Sequence, residues 1–316
     1  MGKKCHFLTF HFIYAILLTD FDLVCLEGLR MQRERVSDNV YWFQSDIYAQ
    51  VTAGVIVGPQ WSVLIDTLAM PEETLAMRSF IEDDLHAPVR YIINTHSHAD
   101  HSWGNCFFPG ATIISHANCR TNMRENETPA LEQSKKHNAA LKQLKIVIPH
   151  ITIRNGTLTL KVGKKTLSLF STDGHSDDGI SILLEEDRVL FAGDSFIPLP
   201  YIVNGDLQKS LTTLHSFSSM TLENIIQGHG DIILRGEIEA AIESNVHYLN
   251  AIDAFINQRA ADKTIQEIIA DGDIELFGKE RILLGGLVDA LHKRNLVFLY
   301  QKFHNKIAQQ LDATPI

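Results

Sequence analysis

The sequence predicts an α+β protein: two β-sheets packed together with helices outside, followed by a helical extension. Three observations carry this. β-Branched and aromatic runs broken by Gly54, Gly58 and Pro59 crowd the stretch from Val40 to Asp66. Two hairpin patterns recur between Thr157 and Ala192, and a helical periodicity takes over from Glu237 onward. Strands, helix, strands, helix in that order suit layered sheets covered by helices.

The elements follow in order. Val40–Phe43, Ala49–Val57 and Trp61–Asp66 read as strands. Pro71–Leu85 reads as a helix, with Pro71 in its first turn, the acids Glu72 and Glu73 beside it, and Leu75, Phe80 and Ile81 as its apolar positions. Val89–Thr95 and Ile113–Ser115 are short apolar strands. Ala117–Leu144 is a polar helical segment with a turn near Thr128-Pro129. The hairpins are Thr157–Val162 with Thr166–Thr172, and Ile180–Glu185 with Arg188–Ala192. A loop rich in proline and aromatics follows (Phe196 to Tyr201), then a helix near Leu207–Ser218 and a strand Asn224–Gln227. Beyond Glu237, Ile238, Ala241, Ile242, Leu249, Ile252 and Ile256 recur at helical spacing, and further helices run to Leu311.

The chain has 316 residues, 45% hydrophobic and 21% charged, the composition of a globular protein with a substantial core. Its formal net charge of −10 argues against nucleic acid or an anionic membrane surface as partner, because both select a basic face. The partner expected is a small-molecule substrate, with a homo-oligomer also allowed. Cys5, Cys25, Cys106 and Cys119 stand far apart and form no C-x-x-C pair, which fits a reducing compartment better than a disulfide framework. Residues 1–30 read as a leader or a disordered segment. Lys3-Lys4 precedes an apolar run from Phe7 to Leu18, as in an export signal. That run falls short of the about 20 residues a membrane span takes, and His6, His11, Asp20 and Asp22 interrupt it. Met31 is an alternative start. A cytoplasmic location is expected, or export if that segment is a signal.

The chemistry gathers at Thr95-His96-Ser97-His98-Ala99-Asp100-His101, which places four ligand-type side chains within six residues. His96 and His98 are two apart leaving a strand, so they project to the same side, and a turn brings Asp100 and His101 to a neighbouring point. One catalytic zinc keeps a position open for water and would not use all four; two adjacent metals would. Three more ligand-type residues stand where strands stop, each beside glycine: Gly174-His175, Gly193-Asp194 and Gly228-His229.

On these residues the chain resembles the metallo-β-lactamase superfamily over about residues 40 to 235, with Asp66, the cluster His96 to His101, His175, Asp194 and His229 in that family's order. The resemblance implies the four-layer αβ/βα sandwich, a catalytic domain over residues 31–236 and a helical extension over 237–316. It implies a first metal on His96, His98 and His175, a second on Asp100, His101 and His229, and Asp194 bridging them. Asp66 would orient the cluster by hydrogen bonds. Two divalent ions are expected, zinc first, with manganese or iron also compatible with an N/O donor set. A metal-bridging hydroxide would then cleave a small ester, lactone or thioester, with Asp100 as general acid and base. The alternatives are a single-iron enzyme like the persulfide dioxygenases, or a β-lactam or phosphodiester hydrolase. The aspartate at 194 disfavours a dedicated β-lactamase. Ala117–His150 and Phe196–Gly205 are the expected pocket walls, while Trp103, Phe107, Phe196 and Tyr201 are each read as packing before contact. His116, His137, His150 and His215 match no ligand position and are read as surface or packing residues.

Overall fold

The computed structural model describes residues 31–312. The leader read at residues 1–30 lies outside them. The chain divides into two compact units, one ending at Phe170 and the other beginning at Ser171. Among the described residues, no helix is long and apolar enough to cross a membrane.

The first unit is built on a seven-stranded sheet whose spatial order follows the sequence: β1 (Gln32–Ser37), β2 (Val40–Gln44), β3 (Thr52–Val57), β4 (Ser62–Ile65), β5 (Val89–Ile93), β6 (Thr112–His116) and β7 (Ile151–Ile153). β1 to β4 pair antiparallel, and β4 to β7 pair parallel. β3 starts later than the apolar run suggests, because Ala49 and Gln50 take left-handed backbone (φ 47° and 52°) in the turn before it. Helix α1 (Pro71–Ser79) continues through a π-helical turn at Phe80–Asp84 and lays Met77 and Ile81 on the buried cluster of Phe43, Val55, Leu64, Ile92 and Ile113. Fully burying a side chain of that size stabilises the fold by about 1.5–3 kcal/mol.

After β5 comes a single helical turn, α2 (Ala99–Ser102). The segment Ala117 to Ser134 is helical throughout: α3 (Ala117–Asn122), a π turn (Met123–Glu127) and α4 (Thr128–Ser134). The turn expected at Thr128-Pro129 is therefore absent. Pro129 sits in the first turn of α4, where a missing amide hydrogen is tolerated. The hairpin β8 (Thr157–Val162) and β9 (Lys165–Ser171) follows as expected.

In the second unit, β10 (Ile180–Leu184), β11 (Val189–Gly193), β12 (Asn224–Gln227) and β13 (Ile233–Leu234) stand side by side in the order β13-β12-β11-β10. β11 and β12 are parallel, so Gly193 and Gln227 stop at the same edge. Helix α5 (Leu207–Ser218) starts at Asp206, whose Oδ1 accepts from the amides of Gln208 and Lys209. The extension consists of α6 (Ile238–Arg259), α7 (Ile265–Asp271) and α8 (Leu287–Asp312). α7 opens on a capping box between Thr264 and Glu267. Tyr248, Leu249, Ile252, Ile268 and Leu296 are its buried core.

Candidate metal centre

In the first unit the site grows from the carboxyl ends of two paired parallel strands. Ile65 of β4 is in register with Ile93 of β5, and the amide of Asp66 donates to the carbonyl of Ile93 at 2.9 Å. Asp66 then turns in the left-handed region (φ 57°), unusual for a residue other than glycine. The turn brings its carboxylate under the next strand end. Oδ1 accepts from the amide of Thr95 at 2.7 Å, and Oδ2 accepts from the Thr95 hydroxyl at 2.7 Å. Nδ1 of His101 lies 2.8 Å from the same Oδ2. Burial pushes the Asp66 carboxyl above its ordinary pKa, against the opposing pull of His101 and the Thr95 donors.

These contacts assign the ring protons. The Asp66 carboxylate accepts Nδ1–H of His101. The Thr95 hydroxyl, donating to Asp66, has its lone pairs left for Nδ1–H of His96 at 3.1 Å. Each ring then presents a lone pair at Nε2. Nε2 of His96 stands 2.9 Å from Nδ1 of His98, and Nε2 of His101 stands 3.9 Å from Oδ2 of Asp100. His96, Asp100 and His101 are buried and His98 is half-buried. The backbone carbonyl of His101 also accepts from the amide of Thr67 and from Nδ2 of Asn94, each at 3.0 Å, which holds the turn of α2 in place.

In the second unit His175, Asp194 and His229 lie beyond β9, β11 and β12. Asp194 reaches both histidines with different oxygens: Oδ2 lies 3.3 Å from Nε2 of His175, and Oδ1 lies 3.5 Å from Nε2 of His229. Nδ1 of His175 faces the carbonyl of Tyr201 at 2.6 Å, so it carries the proton and Nε2 carries the lone pair. A lone pair and a carboxylate oxygen then face each other, an arrangement that a cation relieves. Glycine makes this approach feasible. A Cβ on Gly228 would fall 2.0 Å from Oδ1 of Asp194.

The donor chemistry of both clusters therefore fits a divalent metal with N/O preference, and among the described residues no cysteine joins either cluster. Cys119 is buried, and burial pushes the Cys106 thiol up and away from the thiolate form. Trp103 is buried with its Nε1–H on Glu127 at 3.0 Å, and Phe196 is buried as well, so both pack. His116 caps α3 by accepting from the Asn118 amide, and His150 accepts from the Ile113 amide. Sequence reasoning missed the Tyr201 carbonyl as a partner of His175. A main-chain acceptor 26 positions away leaves no trace in residue type.

The metallo-beta-lactamase superfamily profile matches residues 48–237, and the chain belongs to that family. Its α+β sandwich with a C-terminal helix is the fold found here. Among curated relatives, the thioesterase pkgB of Emericella nidulans is 26% identical over 66% of this chain and 51% of its own length. The lactamase-like protein nscB of Arthroderma gypseum is 27% identical over 62% of this chain and 56% of its own. The chain thus spans about half the length of these curated relatives. Among solved structures, a metallo-beta-lactamase family protein from Thermus thermophilus aligns at a TM-score of 0.60 with 21% identity, covering 82% of this chain and 93% of that one. The sec-alkyl sulfatase PisA1 aligns at 0.66 with 15% identity, covering 84% and 50%. These likenesses speak to fold.

Proposed function

We propose that this chain is a binuclear metal-dependent hydrolase of small acyl substrates. In the family's ligand order, His96, His98 and His175 would hold the first ion and Asp100, His101 and His229 the second, with Asp194 offered to both. The observation that carries the reading is Asp194, whose two oxygens address two different histidines. A carboxylate turned that way suits a bridge.

Bound metal would supply Lewis acidity, lowering the pKa of a water toward about 7 and polarising the substrate oxygen. The chain's own residues do the rest. Asp66, Thr95 and the Tyr201 carbonyl hold the Nδ1–H groups of three rings and so aim their Nε2 lone pairs. Asp100 keeps a partly open carboxylate beside His101, placed to take the proton of the attacking water and return it to the departing alkoxide or thiolate. The products are the carboxylic acid and the alcohol or thiol, and no serine or cysteine nucleophile takes part.

A thioester is the first substrate to try, because the pkgB relative bears that activity in its name. Metal analysis of the purified chain should return two zinc equivalents, and a panel of substrates should show turnover of thioesters, esters or lactones but not of phosphodiesters or β-lactams. A single iron with oxygen uptake on persulfides would overturn the proposal.

A further inference from the structure

The helical extension reaches back to one short loop, Ile197 to Val203. Nδ2 of Asn245, on α6, donates to the carbonyl of Ile197 at 3.0 Å. Nζ of Lys279 donates to the carbonyl of Pro198 at 2.9 Å. Asn295, on α8, makes two bonds to the loop: Nδ2 donates to the carbonyl of Pro200 at 2.7 Å, and Oδ1 accepts from the amide of Ile202 at 3.0 Å. The residue between those two peptides is Tyr201, whose carbonyl faces Nδ1 of His175. The Tyr201 hydroxyl meets Arg294, the neighbour of Asn295. A second link closes the same loop, as the amide of Val203 donates to the carbonyl of His175 at 2.9 Å.

Asn295 is itself held. It is fully buried, and its Nδ2 also donates to the Tyr248 hydroxyl at 3.0 Å. That hydroxyl lies 3.0 Å from Nδ1 of His292, and Nε2 of His292 lies 2.9 Å from the carbonyl of Gly272. With Nε2–H donating to Gly272, Nδ1 accepts from Tyr248, and every donor in the chain of bonds has an acceptor. A buried amide so fully determined is a rigid support.

We propose that Asn295 is a positioning residue for His175: by clamping the peptides on either side of Tyr201, it fixes the carbonyl that keeps the imidazole proton on Nδ1 and leaves Nε2 for metal. The extension thereby acquires a task at the site although it contributes no ligand. The inference rests on the reading of His175 as a ligand, but its main measurement is made without metal.

The test uses the full chain, metal-free, at pH 8, with histidine ring nitrogens observed by NMR and His175 identified by loss of its signals in His175→Ala. The wild type should carry the His175 proton on Nδ1. Asn295→Ala should move part of that population to Nε2 and raise the zinc dissociation constant about 10–100-fold in chelator competition, as loss of such supporting bonds does. Leu291→Ala, buried on the same helix, should lower stability without moving the proton. A wild-type proton on Nε2 overturns the proposal without any variant. So does an unchanged tautomer in folded Asn295→Ala, or the same shift in Leu291→Ala. If the tautomer behaves as stated and the wild type binds no zinc, the reading of the metal centre fails while the positioning of His175 stands.

Discussion

Nδ1 of His101 and Oδ2 of Asp66 are 2.8 Å apart across 35 positions of sequence, and both donors of Thr95 end on the same carboxylate. An amide has only one oxygen to offer these donors. Asp66→Asn should therefore cost about 1–3 kcal/mol of stability for a buried donor left unsatisfied, and weaken zinc binding about 10–100-fold. Denaturant titration and chelator competition measure the two effects. Zinc affinity at the wild-type level would remove Asp66 from the site.

Asp194 is the residue on which the two-ion reading turns. If removing an outer support costs about 10–100-fold in affinity, losing a shared ligand should cost at least the upper figure. Asp194→Ala is expected to bind one zinc or fewer and to lose hydrolysis about 100-fold or more. Two tightly bound equivalents in the variant would contradict the bridge.

Gly228 offers a subtler probe, since it precedes a proposed ligand, His229, without being one. A methyl group there would sit 2.0 Å from Oδ1 and 2.8 Å from the amide nitrogen of Asp194. Gly228→Ala should push that carboxylate off both histidines, with loss of metal content exceeding loss of secondary structure. Circular dichroism beside metal analysis separates these outcomes.

The first unit's central strands were legible because β4 and β5 are short, mostly apolar runs stopped by turn residues, and the cluster after β5 because ligand types recur at one- and two-residue spacing. β1 was not, since Gln32–Ser37 is polar, largely exposed and held at the sheet edge through backbone pairing with β2. β7 and β13, three and two residues long, are too short for any periodicity to register. The supports of His175 were invisible for another reason. Asn245, Lys279 and Asn295 sit among other polar residues and far apart in the sequence, and only the fold reveals that they converge on one loop.

Lys279 predicts a pH dependence. Its ammonium is buried among three neutral oxygens, of Pro198, Ser244 and Asn245, and burial pulls its pKa down to about 8. The ordinary value is 10.5, so between about 8 and 10.5 the unfolded chain keeps a proton the folded chain has released. Stability should rise with pH across that window, by up to about 3 kcal/mol. Below pH 8 both states are charged and the contribution is constant. Lys279→Met should flatten the difference, read from denaturant midpoints at pH 8 and pH 10. Parallel curves for the two proteins would show that the ammonium is not desolvated.

The bonds from Asn295 to Pro200 and Ile202 span 95 and 93 positions. During synthesis every proposed ligand, the last being His229, leaves the ribosome before Asn295, the side chain that steadies the loop beside His175. Until α8 arrives, a nascent chain would hold the full set of proposed donors with one of them unaimed, and the proposed metal capture and the completion of folding would become events with an order in time. Cleavage between His229 and Asn295 would leave the motifs intact to a reader of sequence and take away the support on which one imidazole depends.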